Sequence, residues 1–164
     1  MKVLKKQANS RMCIICGLDN KAGVQAPFYE MEDNSVVTIF KYKEIHQSYP
    51  ERVHGGLITA MLDELGLRAL WPIEPNCWGV TFDLQTKYRK PVPYDKKLIG
   101  VGKIIKNTPR FIVSEAKIYD DNKNLLAEAN IKYLKLDINK IAKEVDVHEE
   151  MAYLIQDNVT EIDV

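Results

Sequence analysis

A histidine, two glycines and two adjacent carboxylates lie within one short stretch of the chain. The stretch ERVHGGLITAMLDELGLRAL begins at Glu51 and carries Asp63 and Glu64 inside an otherwise apolar segment. A carboxylate on an apolar surface must find a partner or take a raised pKa. Either state suits a nucleophile or a general base, so one of the two acids is a candidate for chemistry.

The two acids differ in the partners that a helix would offer them. Glu64 precedes Arg68 by four residues, which is the favourable order for an ion pair on a helix face. We therefore expect Glu64 to be a paired carboxylate at the solvent edge. No cation lies one turn from Asp63, whose neighbours there are Thr59, Ala60, Gly66 and Leu67. Asp63 is the predicted catalytic acid, and a buried, hydrogen-bonded aspartate is the alternative.

The start of the same segment offers a second element of a site. His54, Gly55 and Gly56 lie where the first backbone N–H groups of a helix lack acceptors within the helix. Glycines let a ligand approach those donors, and the helix dipole favours negative charge there. Such donors would stabilise the oxygen of a carbonyl under attack. Glycine also serves tight packing, but the combination with Asp63 favours the functional interpretation.

These residues need a scaffold, which the hydrophobic pattern predicts. The segment from Leu57 to Leu70 is predicted as a helix that ends at Trp71 and Pro72, since proline cannot continue it. This helix is apolar nearly all round, as expected for a helix buried on most sides. Five strands are predicted, at residues 35–43, 78–90, 97–105, 110–120 and 125–136. The result is an α+β protein whose antiparallel sheet wraps around one long central helix.

The strand at residues 78–90 shows the clearest alternation of side chains. Strict period two places Trp78, Val80 and Phe82 on one face. Thr81 and Asp83 then lie on the opposite, polar face.

Composition bounds the class of protein. The chain has 164 residues with 23 basic and 23 acidic side chains, so no overall positive field predicts a nucleic acid partner. It shows neither a signal peptide nor a membrane span, and its odd number of cysteines predicts no disulfide framework. We expect a cytoplasmic protein with one domain at residues 1–136, of which 1–34 are a lead-in. Residues 137–164 are expected to form an acidic tail, with a short helix at DVHEEMAYLIQ.

At HQSYPERVHGGLITAMLDE and GVTFDLQTKYRKPVP the sequence resembles the hotdog-fold acyl-CoA thioesterases of the phenylacetic-acid-type (PaaI-like) branch. The order of elements agrees over residues 12–136. The resemblance implies hydrolysis of an acyl-CoA to a carboxylic acid and free coenzyme A, without a metal or other cofactor. It also implies a homodimer or homotetramer with each active site at a subunit interface. A non-catalytic acyl-CoA-binding or sensor protein of the same fold is the alternative.

The resemblance also implies roles for individual residues. Asp63 would act as the nucleophile or activate a water molecule, and the Gly55 N–H would polarise the thioester carbonyl. His54 would lie beside the leaving sulfur or orient the site, and Thr81 would hold the water or the acid. In several members an asparagine places the water at the position of Ser48 in this chain.

Further residues are candidates for contact with substrate. Gly56 and Gln47 adjoin the predicted catalytic groups. Arg89, Lys90 and Arg110 lie in two local basic clusters that suit the phosphates of coenzyme A. The alternative for both clusters is a solvated strand end.

The pair Cys13 and Cys16 in CIICG is half of a typical structural zinc site. No second CxxC follows, Cys77 is isolated and the histidines lack ligand spacing. We therefore expect free cysteines and no metal, with a metal site or a redox pair as the alternatives.

Overall fold

One antiparallel sheet of seven strands wraps around a single long helix. The computed structural model describes residues 1–75, 77–144 and 146–164. The strands are β1 (Val3–Lys6), β2 (Tyr29–Met31), β3 (Val36–Phe40), β4 (Trp78–Tyr88), β5 (Leu98–Asn107), β6 (Phe111–Asp120) and β7 (Leu125–Leu136). The helices are α1 (Gly55–Arg68), α2 (Ile138–Ile141) and α3 (Val147–Met151). The strand order is β1-β2-β3-β5-β6-β7-β4, and the predicted α+β hotdog architecture is confirmed.

Helix α1 lies unusually close to the sheet because two glycines remove side chains from the contact. A Cβ on Gly66 would lie 2.4 Å from the Tyr133 hydroxyl oxygen. A Cβ on Gly102 of β5 would lie 2.4 Å from the Leu65 carbonyl oxygen. The buried side chains of α1 are Ile58, Met61, Leu62, Leu65 and Arg68. This seating fixes the rotation of the helix and directs Asp63 and Glu64 to different surroundings.

The helix begins and ends two residues earlier than predicted. It begins at Gly55 because the His54 side chain caps it, and Ala69 is its C-terminal cap. Leu70 and Trp71 continue as turns.

The edge strand β4 contains a bulge that overturns the predicted alternation. Thr81 pairs with Tyr133 and Asp83 pairs with the next residue of β7, Lys132, so Phe82 has no partner in the ladder. A bulge of this kind shifts the parity of the strand by one residue. Thr81 and Leu84, which strict alternation would place on opposite faces, therefore face the same side of the sheet. Thr81 contacts α1, and Leu84 packs against the main core.

The first 34 residues are more than a lead-in. Strands β1 and β2 extend the sheet beyond β3, and Ile15 and Phe28 lie in the main core. The sequence pattern missed β1 because its four residues, VLKK, are too short and too polar to show periodicity.

The C-terminal residues return to the N-terminal segment. Asn9 and Tyr153 exchange two backbone hydrogen bonds of 2.7 and 3.0 Å, and the Val3 N–H donates to the Thr160 carbonyl at 2.8 Å. The expected short helix is present as α3, and the Glu149 N–H donates to Asp146 Oδ1 at 3.4 Å. A domain boundary at residue 136 stays a prediction. None of the helices in the described ranges is long and apolar enough to cross a membrane.

Candidate active site

The start of α1 presents one backbone donor that the protein does not use. His54 is the N-cap, and its Nδ1 accepts the Gly56 N–H at 3.0 Å. No hydrogen bond of the described residues uses the Gly55 N–H. Gly55 is half-buried and carries no side chain over this donor. The Gly55 N–H is therefore free to bind an oxygen at the positive end of the helix dipole.

Tyr88 covers the first turn of the helix, a role that the sequence pattern did not indicate. Its hydroxyl donates to the Gly55 carbonyl at 2.9 Å and lies 2.7 Å from Thr59 Oγ1. Strict alternation placed Tyr88 on the apolar face with Phe82, and the bulge in β4 could not be foreseen from one sequence. Tyr88 therefore holds in place the glycine whose N–H is unused.

A surface cleft of about 460 Å³ opens beside this turn. Its walls include Gly55, Gly56, Tyr88, Arg89 and Lys90. The structure therefore brings four of the predicted site residues together around one opening.

Asp63 lies on the opposite part of the same helix, next to β4. Its Oδ1 accepts the Thr81 hydroxyl at 2.8 Å, and the Tyr133 hydroxyl donates to the Asp63 backbone carbonyl at 2.7 Å. No cation of the described residues forms an ion pair with Asp63. Burial raises the pKa of the Asp63 carboxyl, and the hydrogen bond from Thr81 opposes that shift. A half-buried carboxylate with only neutral partners is a suitable nucleophile or general base.

The unused donor and the acid of one chain cannot act on the same bond. Gly55 and Asp63 are eight residues apart on α1, which corresponds to about 12 Å along the helix axis. A carbonyl carbon under attack must lie about 3 Å from both an oxyanion donor and a nucleophile. A complete site from these two groups therefore needs a second helix.

Other predicted residues lie in the loop before α1. Gln47 bridges to Val53, and the Ser48 N–H donates to the Arg52 carbonyl at 2.9 Å. Both side chains are exposed, and neither forms a hydrogen bond with Asp63. The structure thus places Gln47 and Ser48 in the loop that leads to His54, without a hydrogen bond to Asp63 of the same subunit.

The three predicted phosphate contacts are divided between two places. Arg89 forms a 2.5 Å ion pair with Glu128, and Lys90 donates to Asn124 at 3.2 Å. Arg110 lies at the opposite end of β4, because its carbonyl accepts the Lys135 N–H and Lys135 pairs with Gly79. Within one chain Arg110 therefore does not share the cleft of Arg89 and Lys90.

Glu64 forms the expected ion pair with Arg68, at 2.7 Å, and its side chain is 25% exposed. The Arg68 side chain is only 2% exposed. The N-terminal segment covers it, with Gln7 and the Ala8 carbonyl as further partners and the Phe28 ring 4.3 Å from its guanidinium. The N-terminal segment therefore buries the arginine of the pair, while the Glu64 carboxylate stays partly exposed.

Comparisons with known proteins concern the family and the fold of the chain. Residues 51–127 match the sequence profile of the thioesterase superfamily. That segment contains α1 and the strands from β4 to the start of β7. A search of curated proteins finds no match.

Solved structures share the fold. One thioesterase superfamily protein has a TM-score of 0.69 and 23% identity over 75% of this chain. This chain spans 63% of its length. A second superfamily protein has a TM-score of 0.62 and 25% identity over 68% of this chain and 84% of its own. A hypothetical thioesterase from Streptococcus pneumoniae, solved with coenzyme A, has a TM-score of 0.61 and 20% identity over 68% of this chain and 85% of its own.

These comparisons confirm the predicted hotdog fold, and the match to the thioesterase superfamily covers residues 51–127 of the chain. The PaaI-like branch stays a prediction.

Proposed function

Because the chain has the hotdog fold and its residues 51–127 match the thioesterase superfamily, we propose that it hydrolyses acyl-CoA thioesters. The products are a carboxylic acid and free coenzyme A. The observation that carries the proposal is the unused Gly55 N–H at the start of the helix that also bears Asp63. An oxyanion donor and an acid with neutral partners are the two groups that acyl transfer requires.

The chemistry divides between these two groups. The carbonyl oxygen of the thioester accepts the Gly55 N–H, which stabilises the negative charge of the tetrahedral intermediate. Asp63 either attacks the carbonyl carbon, forming an anhydride that water then hydrolyses, or removes a proton from an attacking water. In both routes the C–S bond breaks and coenzyme A leaves as a thiolate that takes up a proton. Thr81 positions Asp63, and His54 lies beside the start of the helix near the leaving sulfur.

The proposal includes a homodimer or homotetramer whose sites lie between subunits. The separation of about 12 Å between Gly55 and Asp63 along α1 supports it, because a partner chain could supply the acid opposite the donor. Strand β4 ends the sheet order and carries the exposed Phe82. Light scattering should therefore return at least twice the 18.8 kDa mass of the chain. A fully active monomer would contradict this part of the proposal.

Acyl-CoA is the proposed ligand class. The coenzyme A present in the Streptococcus pneumoniae structure supports this choice. Lys90, at the mouth of the cleft, suits a phosphate, and Arg89 does so if the ligand displaces Glu128. Arg110 could reach the same ligand only from another subunit. We also propose that the protein is cytoplasmic and that hydrolysis at Gly55 and Asp63 needs no metal ion.

A non-catalytic acyl-CoA binder is the second candidate, because the exposed Ser48 makes no contact with Asp63 in one chain. Turnover of short, long and aromatic acyl-CoAs, followed by thiol release, distinguishes the two functions. An enzyme releases thiol catalytically, with many turnovers per chain. Tight binding of the panel without thiol release would establish the binder, and neither binding nor release would overturn both.

A further inference from the structure

The sequence CIICG forms a tight turn that places two thiols on the same side of the chain. The Gly17 N–H donates to the Cys13 carbonyl at 2.8 Å, which closes the turn. A Cβ on Gly17 would lie 2.4 Å from that carbonyl oxygen, so the turn requires glycine. Cys13 is half-buried, Cys16 is buried, and neither forms a disulfide.

Helix α1 adds a third donor to this pair. Glu64 Oε2 lies 3.8 Å from Cys13 Sγ, although the two residues are 51 positions apart in the chain. The two sulfur atoms and a carboxylate oxygen of Glu64 all lie within 4.8 Å of one another. Tetrahedral zinc, with bonds of about 2.3 Å to sulfur and about 2.0 Å to oxygen, separates its donor atoms by roughly 3.5–3.8 Å. Small side-chain movements would therefore close the three donors around one ion.

Each of the three donors also has an outer partner that suits a metal ligand. The N–H groups of Ile15 and Cys16 point at Cys13 Sγ, at 3.3 and 3.4 Å. The Ser10 hydroxyl lies 2.9 Å from Cys16 Sγ. Arg68 Nε holds the other carboxylate oxygen, Glu64 Oε1, at 2.7 Å. Outer hydrogen bonds of this kind orient metal ligands, and they leave Oε2 to face the thiols.

The charges of this cluster also match a divalent cation. As ligands, two thiolates and a carboxylate carry three negative charges. Arg68, which is 2% exposed, supplies one positive charge, so two remain to be neutralised. A dithiol that works by forming a disulfide has no need of a carboxylate beside it, whereas a cation makes the three anions compatible.

We propose that Cys13, Cys16 and Glu64 bind a zinc-class divalent metal ion. Thiolate ligands select zinc over magnesium or calcium. Three protein ligands leave a fourth position for water, which the partly exposed Cys13 and Glu64 side chains allow. This departs from the sequence-based expectation of free cysteines.

The site would join the N-terminal segment to α1 at the residue next to the proposed catalytic acid. It does not include Asp63, Gly55 or Thr81, so it goes beyond thioester hydrolysis. Because two ligands come from the N-terminal segment and one from α1, the metal would fasten residues 13–16 onto the helix at Glu64.

The test uses the full chain stripped with a chelator and then titrated with Zn²⁺ or Co²⁺ alone. About one ion per chain should bind, with a sulfur-to-cobalt charge-transfer band and protection of two thiols from a chromogenic disulfide reagent. Glu64→Gln removes a ligand, so it should weaken zinc binding by more than the roughly 10- to 100-fold that loss of an outer partner costs. Cys13→Ser should abolish stoichiometric binding and the full charge-transfer band. Cys77→Ser is the matched control, because Cys77 lies outside the cluster and should leave binding as in the wild type.

Several outcomes would overturn the proposal. One is a stripped wild-type protein that binds neither metal. Another is a zinc affinity equal to that of the wild type in Glu64→Gln or in Cys13→Ser. If Cys13→Ser does not fold, Glu64→Gln alone decides. A Cys13–Cys16 disulfide formed by oxidised glutathione, in a protein that takes up no zinc when reduced, would establish a redox pair instead.

Discussion

Asp63 and Glu64 are adjacent in the chain, yet they face two regions that are built differently. Asp63 faces the edge strand β4 and receives a hydroxyl hydrogen bond but no ion pair within the described residues. Glu64 pairs with Arg68 of the same helix, and the N-terminal segment buries that arginine. An uncompensated carboxylate is available for reaction, whereas a compensated one stabilises structure. The comparison shows that the helix sequence supplies the ion pair of Glu64, whereas the elements packed around the helix bury that pair and give Asp63 a neutral partner.

The largest expected effect tests the reactive side. Asp63→Asn keeps the size and removes the charge, so kcat/KM for acyl-CoA should fall roughly 10²–10⁴-fold. Asp83→Asn is the matched control. Asp83 lies on the same strand as Thr81, forms an ion pair with Lys132 of β7 and has no role in the proposed chemistry. Thiol-release kinetics measure both variants, after thermal melting shows that they are folded. Equal, small losses in both would remove Asp63 from the mechanism.

The next effect tests the structural side. Glu64→Gln leaves the buried Arg68 without a counter-charge, which should lower the free energy of unfolding by about 1–3 kcal/mol. The comparison is made in chelator-treated protein, so that metal does not contribute. Glu115→Gln, which breaks a partly exposed 2.9 Å pair with Lys117, should cost no more than about 1 kcal/mol. If urea unfolding ranks the two variants in the opposite order, the buried pair does not stabilise α1 as described.

A smaller effect sharpens the role of the hydroxyl at Asp63. Thr81→Val removes the 2.8 Å hydrogen bond and should lower kcat/KM roughly tenfold. That bond lowers the pKa of Asp63, so its loss should also move the acidic limb of the pH–rate profile to higher pH. Thr81→Ser should restore both quantities. An unchanged profile in the valine variant would mean that Thr81 fills space only.

The smallest effect concerns stability against pH. Burial raises the pKa of Asp63, so the folded chain holds this proton more tightly than the unfolded chain. The contribution to stability is present below the unfolded pKa and is lost as pH rises through the folded pKa. Asp63→Asn does not titrate, so its melting temperature relative to wild type should rise across that window. A difference in melting temperature that is the same at every pH would show that burial does not raise the pKa of Asp63.

Much of the fold could be predicted because its main elements are long and have clear apolar patterns. Helix α1 is apolar nearly all round, and β7 was predicted with the bounds that the structure shows. The short strands β1 and β2 were missed, since three or four residues carry too little pattern. The bulge at Phe82 was missed because nothing in the sequence marks it.

Some residues of the candidate site could be predicted from the sequence, and others could not. Asp63, Gly55 and His54 were predicted from spacing along one helix, which is local information. Tyr88 was missed because its position depends on the bulge, and the contact of Glu64 with Cys13 was missed because the two residues lie 51 positions apart. Contacts between distant segments need the packed structure. The roles of all these residues stay predictions until they are measured.

The pairing of β4 has a consequence for the order of folding. β4 hydrogen-bonds to β7 although β5 and β6 lie between them in the chain, and its last residue, Tyr88, pairs with Ala127. Pairings between distant segments close large loops and form slowly, whereas the β5-β6-β7 meander consists of short hairpins. We expect the meander to assemble with α1 first and β4 to join its outer edge last. Thr81 would then reach Asp63 only in the final step, so a chain could collapse around its helix before its reactive acid is in place.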